Sequence, residues 1–202
     1  MIRRSFPPVV VVLGGLLVVA GSCSPEPAPQ PVIVPTVAAP STTVAPTTAA
    51  APVLPANCAA MIPGNQLDAT VGVPVSSVVD VVNGEALADI GRTGRITCRY
   101  GAPAGNSYPL EISLTSYASA QQAAHRVTVT VTDAEQQGVG STTVPAGGVD
   151  GSFIPFPAGG LVVASSGIYS VAVTMAPTLV PADQVAAKTG ALAGIVLAAA
   201  GV

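Results

Sequence analysis

The stretch LEISLTSYASAQQAAHRVTVTVTDAEQQ, residues 110–137, decides the fold because it contains two different hydrophobic patterns in succession. In its first eight residues the apolar side chains of Leu110, Ile112 and Leu114 alternate with polar ones, which predicts a strand with one buried face. Residues 118–137 have strong helix formers at both ends and a central VTVTVT run that suits a strand better. We predict a helix over 118–137 and keep a strand as the alternative.

Upstream of this stretch, the sequence predicts one helical segment and one strand. Asn57 and Cys58 begin a short helical stretch that ends near Gly72. Residues 73–94 are ambiguous, because a Val-rich run is followed there by three glycines. Residues 95–100, RITCRY, are typical of a strand.

Downstream, the sequence predicts three short strands and a final helix. The strands lie near 142–144, 161–164 and 169–175, and the last two are joined by a hairpin connection that contains Gly167. An Ala-rich C-terminal helix is predicted over 182–200. Helices at the ends of an antiparallel run of strands indicate an α+β fold, with a small antiparallel sheet packed by two or three helices.

The C-terminal helix is apolar enough to raise the question of a membrane span. Lys188 interrupts it, and Gly190 and Gly194 weaken it. The run after Lys188 has 14 residues, which is short for a span. We therefore predict a buried helix that packs on the sheet.

The first 22 residues have the three parts of a secretory signal. Arg3 and Arg4 form a positive end, residues 9–20 are apolar, and small residues lead into Cys23. An uncleaved anchor is the alternative, but twelve residues rise only ~18 Å as a helix against a hydrocarbon core of ~30 Å. We predict that residues 1–22 are removed on export.

The segment VVAGSC before and including Cys23 resembles the bacterial lipobox, whose cysteine receives diacylglycerol on its thiol. We therefore expect Cys23 to carry a lipid anchor that holds the protein at the extracytoplasmic face of the cell membrane. Ala20, Gly21 and Ser22 also suit an ordinary signal peptidase, which would cut the same bond and release a soluble protein.

A lipidated Cys23 would also account for the odd number of cysteines, since the chain has three. Cys58 and Cys98 then remain as a pair. Outside the cytoplasm we expect them to form a structural disulfide, worth roughly 4 kcal/mol because it closes a loop of about 40 residues. Two free thiols or a metal site are the alternatives, but zinc requires four clustered ligands and the single His125 lies far away in sequence.

Residues 23–55 form a linker in which nine of the 32 residues after Cys23 are proline and Glu26 is the only charge. Proline fixes φ and removes backbone donors, so the segment favours polyproline II, with a reach of up to ~100 Å. Its Ser and Thr residues are typical of a glycosylated stalk, and a bare tether is equally compatible. Residues 56–202 follow as a single α+β domain.

Composition excludes one class of partner. Only 8% of residues are charged, and loss of Arg3 and Arg4 lowers Lys+Arg from 7 to 5 against 10 Asp+Glu, a net charge of −5. We expect no cluster of Lys or Arg outside the leader. Nucleic-acid binding requires concentrated positive charge, so we predict none.

From Cys58 onward the pattern resembles a family of small actinobacterial lipoproteins classed as a domain of unknown function. The residues that carry the resemblance are the lipobox, the Pro/Thr-rich linker, Cys58, then Cys98 with Tyr100 two residues on, the Gly-rich segment 147–151 and the closing Ala-rich helix. In the family the aromatic residue is more often Trp. The resemblance implies the α+β fold, the disulfide and the envelope location, and it implies no catalytic residues.

Candidate chemistry is sparse. His125 has no evident nucleophile or orienting acid, no GxSxG motif is present, and no cofactor or metal site is predicted. We expect a non-enzymatic domain that binds an envelope protein or a wall polymer. The alternatives are a carrier or sensor of an apolar ligand, with Phe153, Ile154 and Phe156 at the mouth of its cavity, and an envelope hydrolase.

Overall fold

A computed structural model describes residues 53–76, 79–105 and 107–202. Cys23, the leader and the linker up to residue 52 lie outside the described residues. The predictions of cleavage, lipidation and an extended tether therefore stay predictions.

Seven strands within the described residues form one antiparallel sheet, in the order β1-β2-β3-β7-β6-β5-β4. Two meanders, β1 to β3 and β4 to β7, meet where β3 pairs with β7. The strands are β1 (Val79–Gly84), β2 (Arg92–Tyr100), β3 (Leu110–Tyr117), β4 (Thr142–Ala146), β5 (Val149–Phe156), β6 (Gly159–Ser166) and β7 (Tyr169–Met175).

Four α-helices accompany the sheet in this part of the chain: α1 (Cys58–Met61), α2 (Gly64–Val71), α3 (Ala120–Gln136) and α4 (Ala182–Ala199). A single 3₁₀ turn (Ala88–Ile90) precedes β2. The predicted α+β class is confirmed, including the C-terminal helix. The sheet is larger than predicted, because β1 and β5 were not foreseen as strands.

One face of the sheet carries the hydrophobic core. Ile112 and Leu114 of β3 and Val173 of β7 are fully buried there, as the alternation in β3 predicted. The helix α4 covers this face and buries Leu192 and Val196 against it. Among the described residues, none of the helices combines the length and apolarity that a membrane crossing requires.

The disulfide lies in the same core. Cys58 at the start of α1 is bonded to Cys98 of β2, with 5.8 Å between the two Cα atoms, and both residues are buried. The predicted pairing is confirmed. Since α1 has only four residues, the covalent link fixes a segment that could not hold its position by its own helical stability.

The ambiguous stretch 118–137 is a helix, as predicted. Ser119 caps α3 by accepting a hydrogen bond from the backbone N–H of Gln122 (3.2 Å). The hydroxyls of Thr128 and Thr130 donate to the carbonyls four residues earlier, at 3.2 and 3.0 Å. These bonds satisfy polar groups of β-branched residues inside a helix, so the VTVTVT run is accommodated.

The position of α3 follows from the topology. β3 lies in the middle of the sheet and β4 at its far edge, so the chain between them must cross the sheet. α3 makes this crossing on the face opposite α4, and it contacts mainly β6 and β7. The same face of β2 and β3 therefore lies at the margin of the helix.

Candidate functional site

The sheet face opposite α4 is polar where β2 and β3 pair. Arg95, Thr97 and Arg99 alternate along β2 on this face. The hydroxyl of Thr97 lies 2.7 Å from that of Ser113, and Arg99 Nε donates to Glu111 Oε2 at 2.9 Å. Glu111 and Ser113, which the alternation of LEISLTSY predicts to face solvent, therefore belong to an ordered polar surface.

Between this polar surface and α3 lies an open depression of about 250 Å³, which we call the α3 groove. Its residues come from β2, β3, β6, β7, α3 and the 3₁₀ turn. They are Ile90, Arg92, Arg95, Glu111, Ser113, Thr115, Tyr117, Arg126, Val127, Thr130, Leu161, Val163, Ser170, Val171 and Ala172.

The groove exists because α3 packs shallowly. Of its 17 residues only Ala123 is fully buried. Val127, Val131 and Ala134, which lie on the same side of the helix, are half-buried. An amphipathic helix whose only role was to cover the core would bury this stripe completely. In α3 the stripe is only partly buried, so apolar surface of the helix stays accessible next to the polar face of the sheet.

Arg95 is the most enclosed cation of the groove. Its residue is half-buried, and its Nε atom is buried without a hydrogen-bond partner among the described residues. Gly84 of β1 provides the space: a Cβ there would lie 3.0 Å from Arg95 Cβ and 3.3 Å from Arg95 Nε. A buried donor with no acceptor is uncommon in folded proteins and requires an explanation.

Two further arginines reach the same groove from different directions. Arg92 is half-buried and donates from Nε to the carbonyl of Glu85 at 2.9 Å. Arg126 is exposed and comes from α3. Within the described ranges, no carboxylate oxygen lies within 4.0 Å of the cationic nitrogens of Arg92, Arg95 or Arg126.

Arg99, by contrast, is neutralised. Its guanidinium contacts Glu111 at 2.9 Å and Asp80 at 3.4 Å, and it lies 5.6 Å from the ring centre of Tyr108. The hydrogen bond that Arg99 donates to Glu111, together with the charges of Glu111 and Asp80, raises the pKa of Arg99 above its ordinary value. The one carboxylate that lines the α3 groove, that of Glu111, is thus already paired.

No family model, curated protein or solved structure matches this chain. The family resemblance drawn from the sequence stays a prediction.

His125 does not join the α3 groove. It is exposed on α3 and lines a neighbouring depression with Asp89, Gln122 and Arg126. Asp89 is the carboxylate of that depression, but no hydrogen bond links it to His125 in the described part of the chain. The geometry holds no Ser–His or Cys–His arrangement at this position.

The three residues predicted at a ligand mouth do not share one face of β5. Ile154 and Phe156 line a depression of about 300 Å³ near the C-terminal end of α3. Phe153 points to the opposite face, where its ring covers Gly160 and packs against the core. Because side chains alternate along a strand, Phe153 cannot share that mouth with its neighbours.

The arginine cluster was not predicted from the sequence. Three of the five Lys and Arg residues outside the leader, Arg92, Arg95 and Arg99, lie within eight residues, so the expectation that no cluster exists outside the leader is wrong. One signal was available: RTGRITCR places Arg95 and Arg99 on the same face of a strand as Thr97. The contribution of Arg126 depends on the crossing of α3, which no local pattern shows.

Proposed function

We propose that this protein is a lipid-anchored envelope protein that displays a non-catalytic ligand-binding domain outside the cytoplasmic membrane, with the α3 groove as its binding site. Recognition, rather than chemistry, is the role of this groove.

The observation that carries the proposal is the shallow packing of α3 over a polar sheet face. A domain that needed only stability would bury the apolar stripe of α3, whereas the groove beside that stripe holds a half-buried Arg95 without a carboxylate partner among the described residues. Ligand sites combine a concave surface, apolar walls and a few convergent polar groups, and the α3 groove has all three.

The disulfide supports the location. Such bonds persist in oxidising compartments outside the cytoplasm, and the bond between Cys58 and Cys98 is buried in the core. It agrees with an export signal in residues 1–22 and with lipidation at Cys23.

Intact mass spectrometry of the protein from its native membrane tests the anchor. We expect a chain that begins at Cys23, carries diacylglycerol and gains two hydrogens on reduction of the disulfide. The Cys23→Ala variant should carry no diacylglycerol. A wild-type chain that starts at Cys23 without lipid would overturn the anchor, and a chain found only in the cytoplasm would overturn the location.

Native mass spectrometry of the same material tests the binding role. A small molecule retained by wild type and lost on substitution of Arg92 by Ala is the expected result, since Arg92 lines the α3 groove and neither neighbouring depression. An identical bound mass in wild type and variant would show that the α3 groove is not the site.

A second candidate, a carrier of an apolar ligand, is favoured by the depression that contains Ile154, Phe156 and Leu161. Its volume of about 300 Å³ is slightly larger than that of the α3 groove, and both volumes are small for ligand sites. Lipid extracts of the purified protein distinguish the two roles. A carrier would lose its lipid in Phe156→Ala and keep it in Leu87→Ala, since Leu87 is apolar and exposed elsewhere.

A further inference from the structure

We propose that the α3 groove binds an oxyanion, a carboxylate or phosphate group on a small, partly apolar body, with Arg95 as the residue that anchors it. The inference rests on the proposed binding role of the groove and names the chemistry of its ligand.

The first argument is the guanidinium of Arg95, which lines the α3 groove. Its Nε atom is buried without an acceptor, whereas its terminal nitrogens are not among the buried unpartnered atoms and have no hydrogen-bond partner in the described residues, so they are the donors that a ligand in the groove can reach. An anionic oxygen is the acceptor that a guanidinium binds most strongly, because a charge-assisted hydrogen bond is about twice as strong as a neutral one. Gly84 leaves the space in which the Arg95 side chain lies, because a Cβ there would crowd Arg95 Cβ and Nε.

The second argument is the balance of charge in the groove. Arg92, Arg95 and Arg126 supply three cations, while Glu111 is paired with Arg99. The chain as a whole has an excess of acidic residues, so this positive groove is a local feature. The positive charge of the groove predicts an anionic ligand. The acidic remainder of the surface disfavours a long polyanion such as nucleic acid.

The third argument concerns the remainder of the ligand. Hydroxyls of Ser113, Thr115 and Ser170 provide further donors beside the arginines, and Leu161 and Val163 provide an apolar wall. A volume of about 250 Å³ admits a small molecule or the end of a chain. Guanidinium groups recognise both carboxylates and phosphates through paired N–H groups, so the shared oxyanion is the chemistry that the structure assigns.

Titration of the full-length protein with three phenyl compounds tests this inference. Benzoate offers a carboxylate, phenyl phosphate offers a phosphate, and benzamide is a neutral analogue of benzoate. The readout is the NMR signal of the Arg95 Nε–H group, assigned by its loss in Arg95→Gln. We expect a downfield shift with at least one anion and none with benzamide, because only the anions supply a charged acceptor.

Two variants and a matched control assign the effect to Arg95. Arg95→Gln should weaken anion binding by about tenfold or more. Gly84→Ala keeps every charge but pushes on Arg95 Nε, so it should also weaken binding. Lys188→Gln removes one positive charge from α4, on the other face of the sheet, and should change affinity by less than about twofold.

The outcomes separate the possible failures. A response to phenyl phosphate alone identifies a phosphate ligand, and a response to benzoate alone identifies a carboxylate. Equal responses to benzamide and benzoate, or equal losses in Arg95→Gln and Lys188→Gln, would overturn the oxyanion assignment. If no anion binds while native mass spectrometry still shows a bound molecule that depends on Arg92, the binding role stands and its chemistry is different.

Discussion

Gly194 in α4 lies in backbone contact with Gly147 at the turn between β4 and β5. A Cβ on Gly147 would lie 3.0 Å from the Cα of Gly194, and a Cβ on Gly194 would overlap the backbone nitrogen of Gly147. One turn earlier in α4, a Cβ on Gly190 would lie 2.5 Å from the carbonyl oxygen of Pro145. These two glycines let α4 approach β4 closely enough to cover the far edge of the core.

We predict that Gly194→Ala destabilises the domain by about 1–3 kcal/mol, because the added methyl group meets backbone atoms that cannot rotate away. The sign of the change in the free energy of unfolding is the test, since a glycine-to-alanine substitution in an unhindered helix stabilises by about 1 kcal/mol. Urea unfolding measures the difference. The matched control is Ala191→Gly at an exposed site of the same helix, which should cost only the ~1 kcal/mol of helix propensity. A more stable Gly194→Ala variant would contradict the close contact.

Tyr100→Phe should stabilise the protein by about 1 kcal/mol at neutral pH, since the wild-type hydroxyl is buried without a partner among the described residues. Burial raises the pKa of Tyr100 to about 12. The neutral phenol is therefore favoured in the folded state. The stability that this preference adds is lost as pH rises from about 10, the ordinary tyrosine pKa, through about 12. Thermal unfolding as a function of pH should show a shallower alkaline decline in Tyr100→Phe than in wild type, and parallel curves would refute the assignment.

Asp68→Asn should lower the melting temperature at pH 7 by a few degrees. The carboxylate of Asp68 accepts from the backbone N–H groups of Val75 (2.8 Å) and Ser76 (3.1 Å) and from the Ser76 hydroxyl (2.9 Å). The hydrogen bond from Val75, followed by that from the Ser76 side chain, lowers the pKa of Asp68.

The pH dependence of this effect has a fixed sign. The lowered pKa of Asp68 gives stability that is present above the ordinary aspartate value of 3.8 and is lost as pH falls through the folded value. The difference between wild type and Asp68→Asn should therefore shrink at acid pH. A difference that stays constant from neutral to strongly acid conditions would show that the charge of Asp68 plays no part.

Removal of the disulfide in the double variant Cys58→Ala, Cys98→Ala should cost roughly 4 kcal/mol, since the bond closes a loop with a sequence separation of 40 residues. Urea unfolding without reductant measures the loss. Reductant should lower the stability of wild type towards that of the double variant and leave the variant unchanged. If reductant destabilises both proteins equally, its effect does not act through this bond.

The elements with a strong local pattern were predictable from the sequence. β3 has the bounds that its alternation indicates, and α4 follows the apolar run. β1 was not predicted because its Val-rich sequence was ambiguous, and the structure leaves Val79 and Val81 exposed, so no buried apolar face marks it as a strand. It is stabilised by its pairing with β2, which is a tertiary effect.

β5 was not predicted for a different reason. It contains Gly151 and Pro155, which are both unfavourable inside strands. The pairing of β5 with β4 ends at Phe153, so Pro155 lies beyond the paired stretch on that side and its missing N–H leaves no gap in that ladder. Gly151 packs closely against Val162 and Ala146, which a larger residue would prevent.

The α3 groove could not be predicted, because its arginines are brought together by topology. Arg95 and Arg126 lie on opposite sides of β3 in the sequence, and only the crossing of α3 towards the distant β4 returns Arg126 to the polar face. Cysteine arithmetic was sufficient for the disulfide, since only one pair remained once Cys23 was assigned to the lipid.

The division of the sheet into an apolar and a polar face has an evolutionary consequence. Stability depends on the side that holds α4 and the disulfide, whereas the residues of α3, apart from Ala123, are at least partly exposed. Substitutions at the exposed positions of α3 can therefore accumulate with little loss of folding free energy. Paralogues built on this scaffold would be free to exchange one ligand preference for another while the buried half of each molecule stays nearly constant.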